Sequence, residues 1–160
     1  AHFGLPYAFA YFFSDGFGVE QALDLYRKNY RPSENNPKPI CTICVWALAA
    51  DTKEEALFQF KSRERAMIDR KQGIRQPLMS PEEATRPYSP AELAIAEKLH
   101  RKAIVGSSEQ VTARLKELAK GLDLDELVVV TWTYDPAPRH RSYELLAHSF
   151  AMGNTETKSV

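Results

Sequence analysis

The stretch Leu127-Val128-Val129-Val130-Thr131-Trp132-Thr133-Tyr134-Asp135 opens with four consecutive apolar residues, three of them β-branched. Asp125-Glu126 precede it and Asp135-Pro136 close it. A short, continuous apolar run between turn signals is the pattern of a strand buried on both faces. Helical patterns lie on either side, which predicts a parallel strand between crossover helices. Ligands in parallel α/β folds sit at the carboxyl ends of strands. Here that end, 131–135, carries two hydroxyls, an indole, a phenol and a carboxylate.

Earlier parts of the chain repeat the unit. The aromatic-rich run 5–13 predicts a buried strand, stopped by Ser14-Asp15-Gly16. Val19, Ala22, Leu23, Tyr26 and Tyr30 then fall at helical spacing. After a Pro- and Asn-rich loop, 40–50 is a second apolar strand. Thr52 with Glu55 forms a capping pattern for a helix over 53–70, whose buried stripe is Ala56, Leu57, Phe60 and Met67. In 71–88, Gly and Pro interrupt every regular element, the mark of a functional loop or a disordered one. Ser89-Pro90-Ala91-Glu92 starts a helix carrying Leu93, Ala96 and Leu99. Ser107 with Gln110 caps another over 108–120, with Val111, Leu115 and Leu118 inward. The last helix is expected over 138–152, with Tyr143, Leu146, Ala147 and Phe150 inward, and 153–160 is a polar tail. Strands alternating with helices give an α/β class with a mostly parallel sheet. Three strands are few for such a sheet, so the chain is expected to be a small open sheet or part of a larger one.

With 160 residues, 44% hydrophobic and 26% charged, the chain has the composition of a globular domain with a real core. Its 21 basic and 21 acidic residues cancel, which gives no support to a nucleic-acid or anionic-membrane partner. No apolar run has the length of a membrane span. The chain begins without Met or a basic leader, as expected after processing or within a longer protein. Two cysteines are too few for a disulfide scaffold, so the default location is the cytoplasm.

The chemical motifs are sparse. Cys41-Thr42-Ile43-Cys44 has the spacing of a redox or zinc pair, but on a strand residues three apart point to opposite faces. Two structural cysteines are the favoured reading. Gly106-Ser107-Ser108 at a helix start suits an anion, yet no glycine-rich loop surrounds it, which favours a plain cap. The histidines His2, His100, His140 and His148 lack ligand spacing, so no metal site is expected. Asp135 either orients a ligand or serves the last helix, as its cap or as a partner of Arg139 or Arg141. Tyr11, Phe12, Phe13, Trp46 and Trp132 either stack on a planar ring at strand ends or fill the core. Composition and spacing therefore yield a binding-competent scaffold without a catalytic constellation.

Gly4-Leu5-Pro6, Ala50-Asp51-Thr52, Val105-Gly106-Ser107 and Arg141-Ser142-Tyr143 belong to segments that, in order, resemble the luciferase-like, flavin-dependent monooxygenases. Gly4-Leu5-Pro6-Tyr7-Ala8-Phe9-Ala10 is similar to a strand beginning Gly-Leu-Pro in that family. Ala50-Asp51-Thr52 with Glu54-Glu55-Ala56 resembles the Ala-Asp-Thr start of a later helix. Val105-Gly106-Ser107-Ser108-Glu109-Gln110-Val111 resembles a Val-Gly-Ser-Pro-Glu-x-Val segment, with Ser108 in place of the proline. Residues 125–135, then Arg139 and Arg141-Ser142-Tyr143-Glu144-Leu145-Leu146-Ala147, resemble the last strand and helix. The resemblance covers nearly the whole chain and implies the C-terminal part of a (β/α)8 TIM barrel, with three parallel strands and their crossover helices. A complete barrel takes about 250 residues or more.

The resemblance also implies an activity: oxidation of a small organic substrate by O2, with reduced FMN supplied by a flavin reductase. A deazaflavin (F420) is the less favoured cofactor. Residues 71–88 would belong to a mobile insertion that covers the active site and excludes water. The cofactor-binding candidates are Tyr11, which matches a strand-end aromatic near the flavin ring, and Trp46, Thr133 and Asp135 at strand ends. The alternative is a non-catalytic barrel fragment that binds no flavin and self-associates through its open sheet edges. The expected partners are thus the substrate, the reductase, and either a second copy or an N-terminal half.

Overall fold

Strand β2 (Cys41–Ala50) positions every other strand. In the computed structural model, which describes residues 1–14 and 16–152, all strand pairs are parallel. The polar tail expected at 153–160 lies outside the described residues. Strand β1 (Tyr7–Phe9) pairs with Cys41 to Ile43. Strand β4 (Glu126–Val130) pairs with Thr42 to Trp46. Thr42 and Ile43 have partners in both, so β1 and β4 take opposite edges of β2. Strand β3 (Ile104–Ser107), a short strand beyond the three expected, takes Ala47 to Ala50. The helices between are the crossovers that parallel pairing requires.

The chain divides into two compact units, one of residues 1–46 with 115–130, the other of 47–114 with 131–160. Both β2 and helix α5 (Ser108–Gly121) run from one into the other along the chain.

In the first unit, Val19, Leu23 and Tyr26 of helix α2 (Val19–Lys28) recur at helical spacing and are all buried. Ile43 and Val45 of β2, with Leu115 and Leu122, are buried there too. The Tyr26 hydroxyl donates to the Leu5 carbonyl at 2.9 Å and accepts from the Ile40 amide at 3.2 Å, tying the chain on either side of the loop. Asp125 sets the start of the β2–β4 register: its carboxylate accepts from the Cys41 amide at 2.7 Å, and its own amide donates to the Cys41 carbonyl at 3.0 Å.

Two expectations are corrected here. The strand expected over 5–13 is only Tyr7–Phe9, and Tyr11–Ser14 forms a helical turn, α1. Local bonds from Phe13 to the Ala10 carbonyl and from Gly16 to the Tyr11 carbonyl displace extended pairing. The stretch 127–135 was expected to be buried on both faces, yet β4 ends at Val130 and Val128 is 49% exposed. Among the described residues β4 pairs only with β2, so its apolar run meets solvent.

In the second unit, helix α3 (Lys53–Lys71) starts at Thr52, whose hydroxyl accepts from the Glu55 amide. Helix α4 (Pro90–Lys102) starts with a reciprocal box between Ser89 and Glu92. Ile68, Ala96 and Leu99 form a core cluster with Met67, Tyr88 and Ile95 against it. Leu93, on the same helix, is exposed. Between the helices, 72–82 is irregular and Glu83–Thr85 makes a single 3-10 turn. Helix α6 (Pro136–Ser149) closes the unit; its Leu146 is buried, while Tyr143, also expected inward, is half exposed. No helix among the described residues is long and apolar enough to cross a membrane.

Candidate functional site

In the second unit, β2 ends where hydroxyl groups replace a neighbouring strand. The β2–β4 ladder stops at Trp46 and Val130. One residue on, the Thr131 hydroxyl donates to the Ala47 carbonyl at 2.7 Å. Two further on, the Ala49 amide donates to the Ser142 hydroxyl at 3.0 Å. Both hydroxyl residues are at most 1% exposed. A buried backbone group left without a partner costs ~1–3 kcal/mol, so these two bonds hold the end of the strand in place. The Thr131 amide in turn donates to the Tyr143 hydroxyl at 3.0 Å.

Just past the strand, Arg141 forks onto Asp51, its Nε 3.0 Å from one carboxylate oxygen and its Nη2 2.6 Å from the other. This hydrogen bonding holds the Asp51 carboxyl below its usual range and pushes the Arg141 guanidinium higher still. The pair is surface-exposed.

Asp135 resolves to one of its open alternatives. It caps α6, its carboxylate accepting from the Ala137 amide at 2.9 Å, with Pro136 at the first helical position. The capping geometry leaves the carboxylate exposed. Thr133 is half-buried and its hydroxyl donates to the Asp135 carbonyl, so the structure brings these two candidates together. Trp132 beside them is half exposed, with the Arg63 guanidinium 4.9 Å from its ring centre.

Tyr11 and Trp46 belong to the first unit. Tyr11 opens α1, two residues beyond the last residue of β1, and is half-buried. Gly16, at φ +81°, lies so close to the Tyr11 ring that a Cβ there would stand 2.5 Å from it. The ring is therefore held by a turn that needs glycine twice over, for its backbone and for its contact. Trp46 was placed at a strand end; it is the sixth residue of the ten in β2, and it is buried. Strand β2 runs on past Trp46 because its second half gains β3 as a neighbour.

A second constellation escaped sequence reasoning. Helix α3 buries Glu64, Arg65 and Asp69. The Arg65 guanidinium donates to Glu92 at 2.9 Å and to the Arg86 carbonyl at 3.0 Å, and lies 4.2 Å from the centre of the Tyr88 ring. Glu64 accepts from the Tyr88 hydroxyl and sits against His100 Nε2. Burial, then the hydrogen bond to Glu64, pushes the Tyr88 phenol well up. Asp69 accepts from Gln76 and, at 3.5 Å, from Arg86. These bonds fasten both ends of the irregular stretch onto α3. In the sequence these are three of the many charges of α3, and the helical period alone does not mark them as buried.

The Ser107–Gln110 pair is a plain reciprocal cap, as favoured, with bonds of 3.4 and 3.1 Å. Both cysteines are free thiols; Cys41 is buried and Cys44 half-buried, and burial raises both.

No family model matches the chain. It is 36% identical over 145 residues to the uncharacterized protein YvbT of Bacillus subtilis (strain 168), covering 90% of this chain and 43% of that protein. It is 32% identical over 146 residues to a protein named luciferase-like monooxygenase from Escherichia coli (strain K12), covering 91% of this chain and 43% of that protein. The crystal structure of apo-MsnO8 matches it with a TM-score of 0.80 at 28% identity, over 93% of this chain and 46% of that one. The chain thus spans less than half the length of the relatives it matches, while nearly all of it is matched.

Proposed function

This chain is a segment of the luciferase-like family, and from that membership we propose that it is part of a flavin-dependent monooxygenase. The reaction would oxidise a small organic substrate with O2, using FMN reduced by a separate flavin reductase. The observation that carries this reading is the 32% identity to a luciferase-like monooxygenase over 91% of the chain. The two free cysteines suit a reducing, cytoplasmic setting.

The chemistry of the residues fits the ring of a flavin better than its phosphate. A flat, largely apolar ring takes an aromatic wall and a few hydrogen-bonding groups. Tyr11, with its ring fixed against Gly16, and Thr133 have that chemistry, each in its own unit. Trp46 would support from the core, and Asp135 through its hold on the first turn of α6. A phosphate wants cations or free amides, and none of the four candidates is a cation. That part of the cofactor is assigned to the portion of the relatives that this chain does not span. Bound reduced flavin supplies the electrons for oxygen activation, while the protein binds, orients and shuts out water. The stretch 71–88, fastened to α3 by Gln76, Arg86 and Tyr88, is the candidate cover.

The test is an FMN titration of the purified chain followed by flavin fluorescence, with intact mass taken on the same sample. Saturable quenching at micromolar FMN is expected if the chain holds its share of the pocket. Its absence would confine the oxygenase activity to a longer protein. A second reading, a fragment that binds no flavin and associates with itself, is favoured by the exposed apolar residues of the first unit: Phe13, Phe17, Leu25 and Val128.

A further inference from the structure

The segments Ala50-Asp51-Thr52 and Arg141-Ser142-Tyr143 lie about ninety residues apart in the chain, yet they meet at the end of β2. We infer that Arg141, Ser142 and Tyr143 are positioning residues that set the backbone of the proposed flavin site at the carboxyl end of β2 and in the segment leaving β4. The inference rests on the flavin reading for its purpose and on the hydrogen bonds of the second unit for its substance.

The geometry explains why three consecutive residues are used. Successive helical residues point about 100° apart, so a run of three sweeps about 200° around α6. Each member reaches a different target. Arg141 forks onto the Asp51 carboxylate just past β2. Ser142 accepts from the Ala49 amide within β2. Tyr143 accepts from the Thr131 amide just past β4. Thr131, held in this way, turns its own hydroxyl onto the Ala47 carbonyl.

The donor and acceptor at the vacated edge of β2, the Ala49 amide and the Ala47 carbonyl, are thereby both used without a further strand. Had β4 continued, its own backbone would have taken that edge. Because hydroxyls take it, residues 132–135 leave the sheet while the end of β2 stays fixed. Thr133 and the Asp135 cap stand on that departing segment. Tyr143 is 39% exposed, and its hydroxyl is the group that takes the Thr131 amide.

The test uses the whole chain with Ser142→Ala and Tyr143→Phe, measured by residue-resolved amide hydrogen exchange and by FMN fluorescence titration. Tyr143→Phe removes one hydroxyl and keeps a partly exposed ring, so it is the second variant where Ser142→Ala does not fold. The expected result is exchange about tenfold faster at Thr131 in Tyr143→Phe and at Ala49 in Ser142→Ala, with α2 unchanged. FMN affinity falls several-fold in Tyr143→Phe while exchange in α2 stays at the wild-type rate, a split that a general loss of structure would not produce. Unchanged exchange at the two amides overturns the inference, and so does faster exchange with wild-type FMN affinity. If the unmutated chain binds no FMN, the flavin reading fails. The exchange result then decides the inference alone: local loosening supports it, and none overturns it.

Discussion

Arg65 is 1% exposed, and its charge is met by Glu92, by the Arg86 carbonyl and by the face of Tyr88. A buried cation adds little net stability even when paired, because desolvation offsets the attraction, and the Arg65 Nε is buried without a hydrogen-bond partner among the described residues. Removing one member is another matter, since it leaves its partners buried and unmet. Arg65→Ala is therefore expected to lower the stability of the second unit by ~3–5 kcal/mol, the usual cost of breaking a buried pair. Urea denaturation followed by helical circular dichroism measures it. A loss under ~1 kcal/mol, the scale of an exposed pair, would mean that the guanidinium is hydrated after all. The sequence did not reveal this residue's place. Arg65 sits among Lys61, Arg63 and Arg70, and nothing in the helical period separates a buried arginine from solvated ones. Its burial depends on Tyr88 and Glu92, which reach it only once the chain has turned back on itself.

Side chains of helix α6 bond to Ala49 of strand β2 and to Asp51 just past it, and the second contact titrates. Hydrogen bonding from Arg141 holds Asp51 below the ordinary carboxylate range, against a smaller opposing effect of burial. A carboxyl depressed in the folded state stabilises at pH above its unfolded value, about 4, and loses that contribution as pH falls through the folded value. The wild-type denaturation midpoint should thus exceed that of Asp51→Asn near pH 6 and converge on it as pH falls through the depressed folded value. The difference will be small, because the pair is exposed and screened by salt. A constant gap across that range would show that Asp51 acts through packing rather than charge. Elements of this kind were partly legible. The apolar run of 40–50 and the caps at Thr52, Ser89 and Ser107 fall where expected, because strand period and cap chemistry are local. The extent of β4 and β1 was not, because whether Val128 is covered, or Tyr11 extended, is settled by neighbours and by competing turns.

At the scale of the molecule, the first unit presents β1 and β4 on opposite edges of β2, and among the described residues each pairs with β2 alone. Unpaired edges beside exposed apolar side chains favour association. If the fragment reading holds, sedimentation velocity at micromolar concentration will show species heavier than one chain. A clean monomer across that range counts against it. The kinship was legible from segment order, since Gly4-Leu5-Pro6, Ala50-Asp51-Thr52 and Arg141-Ser142-Tyr143 sit in sequence along one chain. The way two of those segments bond to one another was not, because each looks like an independent helix start or helix face. That bonding bears on how such proteins can be recombined. A chimaera joined anywhere between Asp51 and Arg141 takes the two sides of the joint from different parents. The Ala47 and Ala49 contacts would survive wherever Thr131 and Ser142 are kept, since any residue at 47 offers a carbonyl and any but proline at 49 an amide. Asp51 and Arg141 meet side chain to side chain, so they have to be inherited together.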